Sequence, residues 1–290
     1  MKKILTYFLA FLLSVGMQAC GNGGAEVVMG DVAVTLRAPA AFVYDCTSGD
    51  TVLHGSGRVY PASLTKLLTC LTALDVMDPQ TVIVPGDEVY LPGEGSSSAF
   101  IRPHHALTLE MLVEAMLLPS GNDAAYAVAA ACGRVMADDA SLSYTDAAAV
   151  FVDGMNDYAA RLGCTDSRFT VPDGYAGDEN YSTAADMAKI AKAASENELI
   201  MKYAGLHTDS VTYASGHTNT WVNTNLQLDP DSPYYNEHVT GMKTGSLPGN
   251  YCLITRYDNG ETDIIIGIFG AQTDEERYGD TERILDGLAR

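Results

Sequence analysis

The β-prone runs of this chain lie at its two ends, and helical periodicity fills the stretch between them. Near the start, Ala40 to Asp45 and Thr51 to His54 flank the turn chemistry of Thr47-Ser48-Gly49-Asp50, which reads as a hairpin. Near the end, Tyr251 to Arg256 and Asp263 to Phe269 flank Asp258-Asn259-Gly260, a second hairpin. One antiparallel sheet drawing strands from both termini, with a helical subdomain inserted and helices flanking it, fits that order. The expected class is α/β of the α+β kind.

The middle supports this reading. Leu64, Leu67, Leu68, Leu71 and Leu74 recur at helical spacing behind Pro61. Thr108 to Leu118 reads as an apolar helix capped by Thr108 and stopped at Pro119, and Asp123 to Cys132 as an Ala-rich helix. Asp146 to Leu162, Thr183 to Ser195 and Thr281 to Leu288 are three further helices. Thr81 to Val84 and Glu88 to Leu91 read as short strands around Pro85-Gly86.

The front of the chain carries an address. Lys2 and Lys3 precede an apolar stretch from Ile4 to Val15, the pattern of an export signal and too short to span a bilayer comfortably. Met17-Gln18-Ala19-Cys20 resembles a lipoprotein box, in which Cys20 would be lipidated, and Gly21-Asn22-Gly23-Gly24 reads as a tether. Plain signal cleavage is the alternative. The expected division is a signal at 1–20, a flexible linker at 21–35 and one folded domain at 36–290. An exported protein, anchored to the membrane by lipid if Cys20 is modified, follows.

A net charge of −20 repels phosphate backbones, so nucleic acid is not an expected partner. The six cysteines, Cys20, Cys46, Cys70, Cys132, Cys164 and Cys252, form no C-x-x-C pair, so no metal site is expected. Cys46, Cys70 and Cys252 sit in apolar runs and read as buried free thiols.

Three short motifs remain. Ser63-Leu64-Thr65-Lys66 opens the first helix, and its Ser and Lys share a face three residues apart. A serine hydroxyl is a weak nucleophile until a base takes its proton, and lysine serves as that base only when its pKa is depressed. Ser120-Gly121-Asn122 occupies a tight loop between two apolar helices, and Lys243-Thr244-Gly245 precedes the strand at Tyr251. Singly, each has an ordinary reading as a capped helix start, a turn or an exposed loop.

Together and in this order, S-x-x-K, S-x-N and K-T-G resemble the motif set of penicillin-binding proteins and class A β-lactamases. The flanks are similar to the low-molecular-weight D-alanyl-D-alanine carboxypeptidases: Gly241 to Ser246, Leu117 to Ala125, Tyr181 to Ala188, Asn223 to Leu226 and the closing Arg277 to Gly287. The resemblance runs from about Ala40 to the end and implies the β-lactamase/transpeptidase-like fold with no cofactor. It implies that Ser63 attacks the D-Ala-D-Ala carbonyl, Lys66 is the general base and Ser120 relays a proton to the leaving D-alanine. Asn122 would hold the substrate and orient Lys66. Lys243 and Thr244 would bind the terminal carboxylate, and Gly245 would let the substrate lie along the strand. The N–H groups of Ser63 and Ser246 would form the oxyanion hole. Peptidoglycan stem peptides and β-lactams are the implied partners.

Two departures stand out. The chain stops at Arg290, where many relatives continue into an all-β domain and an anchor helix, so an N-terminal lipid would replace that anchor. Gly270 is followed by Ala271-Gln272-Thr273, where some relatives carry an arginine for the substrate carboxylate, so carboxylate binding should rest on Lys243 and Thr244. The alternatives are a β-lactamase, for which Glu179 is a candidate water activator, a D,D-endopeptidase, or a non-catalytic peptidoglycan- or β-lactam-binding domain. With Lys66 neutral and Lys243 charged, acylation should rise through roughly pH 6–8 and fall at about 9–10.

Overall fold

The computed structural model describes residues 25–29, 32–177 and 179–288. The export segment and Cys20 lie outside the described residues.

The expected sheet is present. β3 (Ala40–Asp45) and β4 (Thr51–His54) come from the front of the chain, and β9 (Val239–Leu247), β10 (Asn250–Asp258) and β11 (Asp263–Ala271) from the end. They pair antiparallel in the order β4-β3-β11-β10-β9, which leaves β9 on an edge. The run Ile264-Ile265-Ile266 in β11 is apolar on both faces because both are covered. Ile264, Ile266 and Ile268 face one cluster with Val43, while Ile265 and Phe269 face the larger core with Phe42. That alternation is the two-residue period of a strand packed on both sides.

The larger core belongs to α1 (Thr65–Val76), α2 (Leu109–Leu117), α3 (Asn122–Met136), α4 (Tyr144–Arg161) and α5 (Ala184–Ser195). The decisive element is α1. Every residue from Thr65 to Ala73 is buried, polar ones included, so this helix has no solvent face over its first nine residues. A lysine placed there must be buried too. Thr108 caps α2 as read from sequence, its Oγ1 accepting from Met111 N, and Thr183 caps α5 in the same way, its Oγ1 accepting from Asp186 N. On the opposite face of the sheet lies α7 (Asp274–Leu288), longer than expected by a full amino-terminal segment.

Four local expectations are corrected. Within the expected linker at 21–35, β1 (Ala25–Met29) pairs antiparallel with β2 (Val32–Leu36), and Val34 and Leu36 are buried in a cluster with Ile284 of α7. Apolar side chains on alternate positions gave that segment a face to bury. Of the two expected short strands, Val82–Ile83 forms β5 and pairs with β6 (Leu107–Thr108), whereas Asp87–Tyr90 is a 3₁₀ turn closed by Glu88, whose carboxylate accepts from Gly86 N. Third, α6 (Glu198–Ala204) and a hairpin of β7 (Thr208–Thr212) and β8 (Thr218–Val222) fill a stretch that carried no expected element. Last, Cys70 and Cys252 are buried free thiols as expected, but Cys46 is only partly covered. No helix among the described residues is long and apolar enough to cross a membrane.

Candidate active site

The site grows from the start of α1. Ala62 to Leu64 form a single 3₁₀ turn that runs straight into the helix, and Ala62 holds φ +50°. A left-handed alanine costs about 1–2 kcal/mol and persists only where its surroundings hold it. They do so tightly. A Cβ added to Gly174, itself at φ +78°, would lie 1.9 Å from Ala62 O, and one added to Gly245 would lie 2.7 Å from Pro61 O and 3.2 Å from Ser63 N. Loop 171–175 and strand β9 therefore press on the Ser63 turn from two directions, and only glycine fits at either contact.

Lys66 is fully buried one turn on from Ser63. Its Nζ lies 2.9 Å from Ser63 Oγ, 2.6 Å from Asn122 Oδ1 and 2.8 Å from the Asp173 carbonyl. Two of these partners, the amide oxygen and the carbonyl, can only accept. The hydroxyl alone can also donate. A neutral amine therefore gives its two protons to Asn122 and Asp173 and turns its lone pair to Ser63. Burial lowers the Lys66 pKa to about 8, against the opposing pull of the Asp173 carboxylate.

The second motif joins at the opposite wall. Ser120 is buried with φ +62°, another strained non-glycine residue, and Asn122 opens α3. The loop is anchored by its neighbours: Asn122 N donates to Ser97 O, and the Asp123 carboxylate accepts from Ala99 N, Ile101 N and Ser98 Oγ. Among the described residues Ser120 is not a hydrogen-bond partner of Lys66. Asn122 is.

The third motif lies within β9, an edge strand of the sheet. Lys243 is fully buried and its Nζ donates only to Thr244 O, at 3.1 Å. Burial pushes its pKa well down, helped by the charges of Lys66 and Arg277. The Lys243 ammonium, removed from solvent and with one carbonyl as its partner among the described residues, is thus disfavoured against an ordinary lysine. Thr244 Oγ1 lies 2.6 Å from Thr224 Oγ1, which ties the strand to the Asn223-Thr224-Asn225-Leu226 segment.

Arg277 was missed as a site residue. It sits in the first turns of α7, 4% exposed, and its Nη1 donates to Gly245 O, Ser246 Oγ and Cys252 O at 3.0–3.1 Å. No arginine stands at Ala271 to Thr273, as read; Arg277 reaches β9 and β10 from the helix instead. The only sequence signal was the similarity of the segment opening at Arg277. Asp173 was missed too, because its contact is through a backbone carbonyl.

Glu179 is mostly exposed and pairs with Arg168 at 3.0 Å, so it is a surface ion pair and not part of the Ser63 cluster. Its neighbour Asn180 is buried, and its Nδ2 donates to Thr65 Oγ1 at 3.2 Å. The arrangement can thus deprotonate a hydroxyl at Ser63 in a cleft that also holds Lys243 and Arg277, the latter ion-paired with Asp274.

Comparison with known proteins agrees with this geometry. The D-alanyl-D-alanine carboxypeptidase family profile matches residues 27–273. D-alanyl-D-alanine carboxypeptidase DacF of Bacillus subtilis is 30% identical over 238 residues, covering 80% of this chain and 57% of that protein. DacC of Escherichia coli is 28% identical and 61% covered, so the chain spans about three fifths of the length of these two relatives. The D-alanyl-D-alanine carboxypeptidase of Streptomyces strain K15 is 28% identical, with 92% of each chain covered. The crystal structure of the Streptomyces K15 DD-transpeptidase superposes with a TM-score of 0.78 at 25% identity, covering 88% of this chain and 98% of that one. The fold is that of the penicillin-binding proteins and β-lactamases, and the chain belongs to the D-alanyl-D-alanine carboxypeptidase family of serine peptidases.

Proposed function

We propose that this chain removes the terminal D-alanine from peptidoglycan stem peptides through an acyl-enzyme on Ser63, and that β-lactams acylate the same oxygen. The observation that carries the reading is Lys66 Nζ, held by two obligate acceptors and left with one partner, Ser63 Oγ, that can give it a proton.

In this mechanism Ser63 Oγ bonds to the penultimate D-alanine carbonyl carbon while its proton passes to Lys66. The N–H groups of Ser63 and Ser246 stabilise the oxyanion. The peptide C–N bond then breaks, and the leaving amine takes a proton through Ser120. Water attacks the ester and returns Ser63 to its resting state. Lys243 and Thr244 hold the substrate carboxylate, joined by Arg277. Asn122 fixes both the substrate backbone and Lys66. Gly245 keeps the strand flat against the substrate, which adds to the open edge of β9.

Export and lipid attachment at Cys20 are part of the same proposal. They rest on the leader pattern and Gly-rich stretch in the sequence. Replacing Cys20 with serine should move the protein from the membrane fraction to the exported soluble fraction.

The test of the activity is incubation with a diacetyl-Lys-D-Ala-D-Ala peptide, reading released D-alanine, beside labelling with a fluorescent penicillin. Release with slow loss of label supports the carboxypeptidase. Rapid turnover of the label without D-alanine release would make it a β-lactamase, and the absence of both would make it a binding domain.

A further inference from the structure

Acylation by the proposed route puts a charge where water cannot reach it. The Ser63 proton passes to Lys66 Nζ as Ser63 Oγ bonds to the carbonyl carbon, whose π electrons move to the carbonyl oxygen. The resulting ammonium is fully buried, with Asn122 Oδ1 and the Asp173 carbonyl as its acceptors. Both are dipoles, and a buried cation held by dipoles alone is disfavoured unless an anion stands near. None of the three motifs, Ser63 to Lys66, Ser120 to Asn122 and Lys243 to Gly245, contains an acidic residue.

The Asp173 side chain meets that need by its position. It is 1% exposed, and its Oδ1 accepts from Tyr175 N at 3.1 Å. The backbone that carries it is stapled to α1 at two consecutive carbonyls. Lys66 Nζ donates to Asp173 O at 2.8 Å, and Thr69 Oγ1 donates to Pro172 O at 2.6 Å. Residues 66 and 69 share a helix face, so the loop cannot slide along the helix without losing both bonds. The carboxyl and the carbonyl that holds Lys66 branch from one Cα, which fixes the carboxyl close to Lys66. Among the described residues the two form no direct ion pair. A direct pair would hold Lys66 as the ammonium and spoil the base, whereas a carboxylate one step back favours the charge without seizing it.

The groups that face this carboxyl are Lys66 from α1, Tyr126 from α3 and the Tyr175 N–H of its own loop. Lys66 also feels the Cys70 thiol from α1 and the Asp123 carboxyl from α3, and it acts in turn on Lys243 of β9. Asp123 is already engaged by Ala99 N, Ile101 N, Ser98 Oγ and Ala124 N. Of the charges that act on Lys66, that of Asp173 pulls hardest. Burial raises the Asp173 pKa and the Lys66 charge opposes that rise, so the two groups titrate together. We propose that Asp173 is a positioning residue for acylation, its carboxylate serving as the buried counter-anion of the ammonium that Lys66 becomes on taking the Ser63 proton. The inference rests on the assignment of Lys66 as the base and adds to it a residue outside the three motifs. Without the anion the ammonium is disfavoured, so Lys66 loses its proton at lower pH and, once free, is the weaker base.

The test is the second-order rate of acylation by a fluorescent penicillin, followed from about pH 5 to about pH 10 in the parent, Asp173→Asn and Asp173→Glu. Asparagine keeps an acceptor for Tyr175 N and removes the charge. In Asp173→Asn the acidic limb should move below the parent's midpoint of about 8, and the plateau should fall by about tenfold. Asp173→Glu keeps the anion, so its limb should lie closer to the parent's. A loop that is merely mispacked slows acylation and leaves the limb in place. An unmoved limb, a limb displaced to higher pH, or an unchanged plateau in Asp173→Asn would each overturn the proposal. Carboxyl ¹³C NMR of the unmodified chain decides the matter if Asp173→Asn does not fold. The Asp173 resonance should show a step near pH 8 as Lys66 loses its charge, and a resonance flat through that range would overturn the proposal as well. The two readings fail separately: no labelling of Ser63 in the parent defeats the acyl-enzyme, whereas labelling with an unmoved limb in Asp173→Asn defeats only the counter-anion.

Discussion

Two fully buried lysines stand in one cleft, and their surroundings differ in a way that separates their roles. Lys66 projects from a helix and meets three oxygen partners, so the protein itself satisfies it. Lys243 projects from an edge strand and meets one carbonyl, with Arg277 as a like-charged neighbour. Burial lowers both, but the remaining needs are opposite. Lys66 has its acceptors and, in Ser63 Oγ, a proton donor. Lys243 lacks an anion. Burial alone therefore does not say what a lysine is for; the tally of acceptors around it does.

The largest expected effect tests whether the Lys66 side is the reacting side at all. Ser63→Ala should cut D-alanine release by about 10⁴-fold or more and abolish covalent penicillin labelling. Intact-mass and peptide mapping check it, and an adduct on any other residue would sink the assignment. Next in size is Lys66→Arg. Arginine keeps the charge and cannot surrender it, so acylation should fall by about 10³-fold at every pH up to 10. Activity within tenfold of the parent would remove Lys66 from the role of base.

Lys243→Arg tests the other half and should be milder, roughly a tenfold loss in kcat/KM, because charge is kept while geometry changes. Its clearest readout is the pH profile. A base must be unprotonated, so kcat/KM should climb tenfold per pH unit until about 8, where Lys66 has lost its proton. A cationic binder must be protonated, so the alkaline limb belongs to Lys243 and in the free enzyme lies well below the ordinary lysine value. A bound carboxylate favours the charged form, so the alkaline limb of kcat should lie above that of kcat/KM. In Lys243→Arg the alkaline limb should move up; if it stays, the two lysines have been given each other's roles.

The smallest effect sharpens the contrast. Arg277→Gln removes a positive neighbour, so the Lys243 pKa should rise and the alkaline limb with it. KM for the peptide should increase about fivefold, the equivalent of ~1 kcal/mol of lost binding. A rise in KM with no movement of the limb would mean that Arg277 acts on the substrate without acting on Lys243.

What the sequence disclosed follows the same divide between near and far. The cap Thr108 and the turn at Asp258 to Gly260 are local chemistry, and each lies where it was read. The Ser63–Lys66 spacing is also local, and a helix makes it a contact. Asn122 reaches Lys66 from another element and was legible only through the motif order. Arg277 was not read as a site residue, because nothing near it says that α7 folds back beneath β9 and β10. The Asp173 carbonyl was illegible for a simpler reason, since every residue has one. β7 and β8 escaped notice because their pairing relies on hydroxyls, Ser210 with Thr220 and Thr212 with Thr218, and not on an apolar stripe. At 25–35 the Gly-rich stretch just before drew the linker boundary too far into a segment whose alternation marked it as strand.

The pairing of β3 with β11 sets Ala40 opposite Phe269, so the central sheet closes only when the last part of the chain is available. A chain made from its amino end carries Ser63 and Lys66, the proposed nucleophile and base, exposed to whatever it meets while the strand that completes their cleft is still unmade. At common rates of synthesis that interval is roughly 10–40 s. Long-range antiparallel closure is also slow in itself. The chain thus carries a timer in its topology: the pieces of the acylating centre appear early, but the wall bearing Lys243 and Gly245 arrives with the final strands. A fragment lacking them would have two motifs and an unpaired β3 edge, a form suited to aggregation and not to chemistry. Competence comes all at once, at the end.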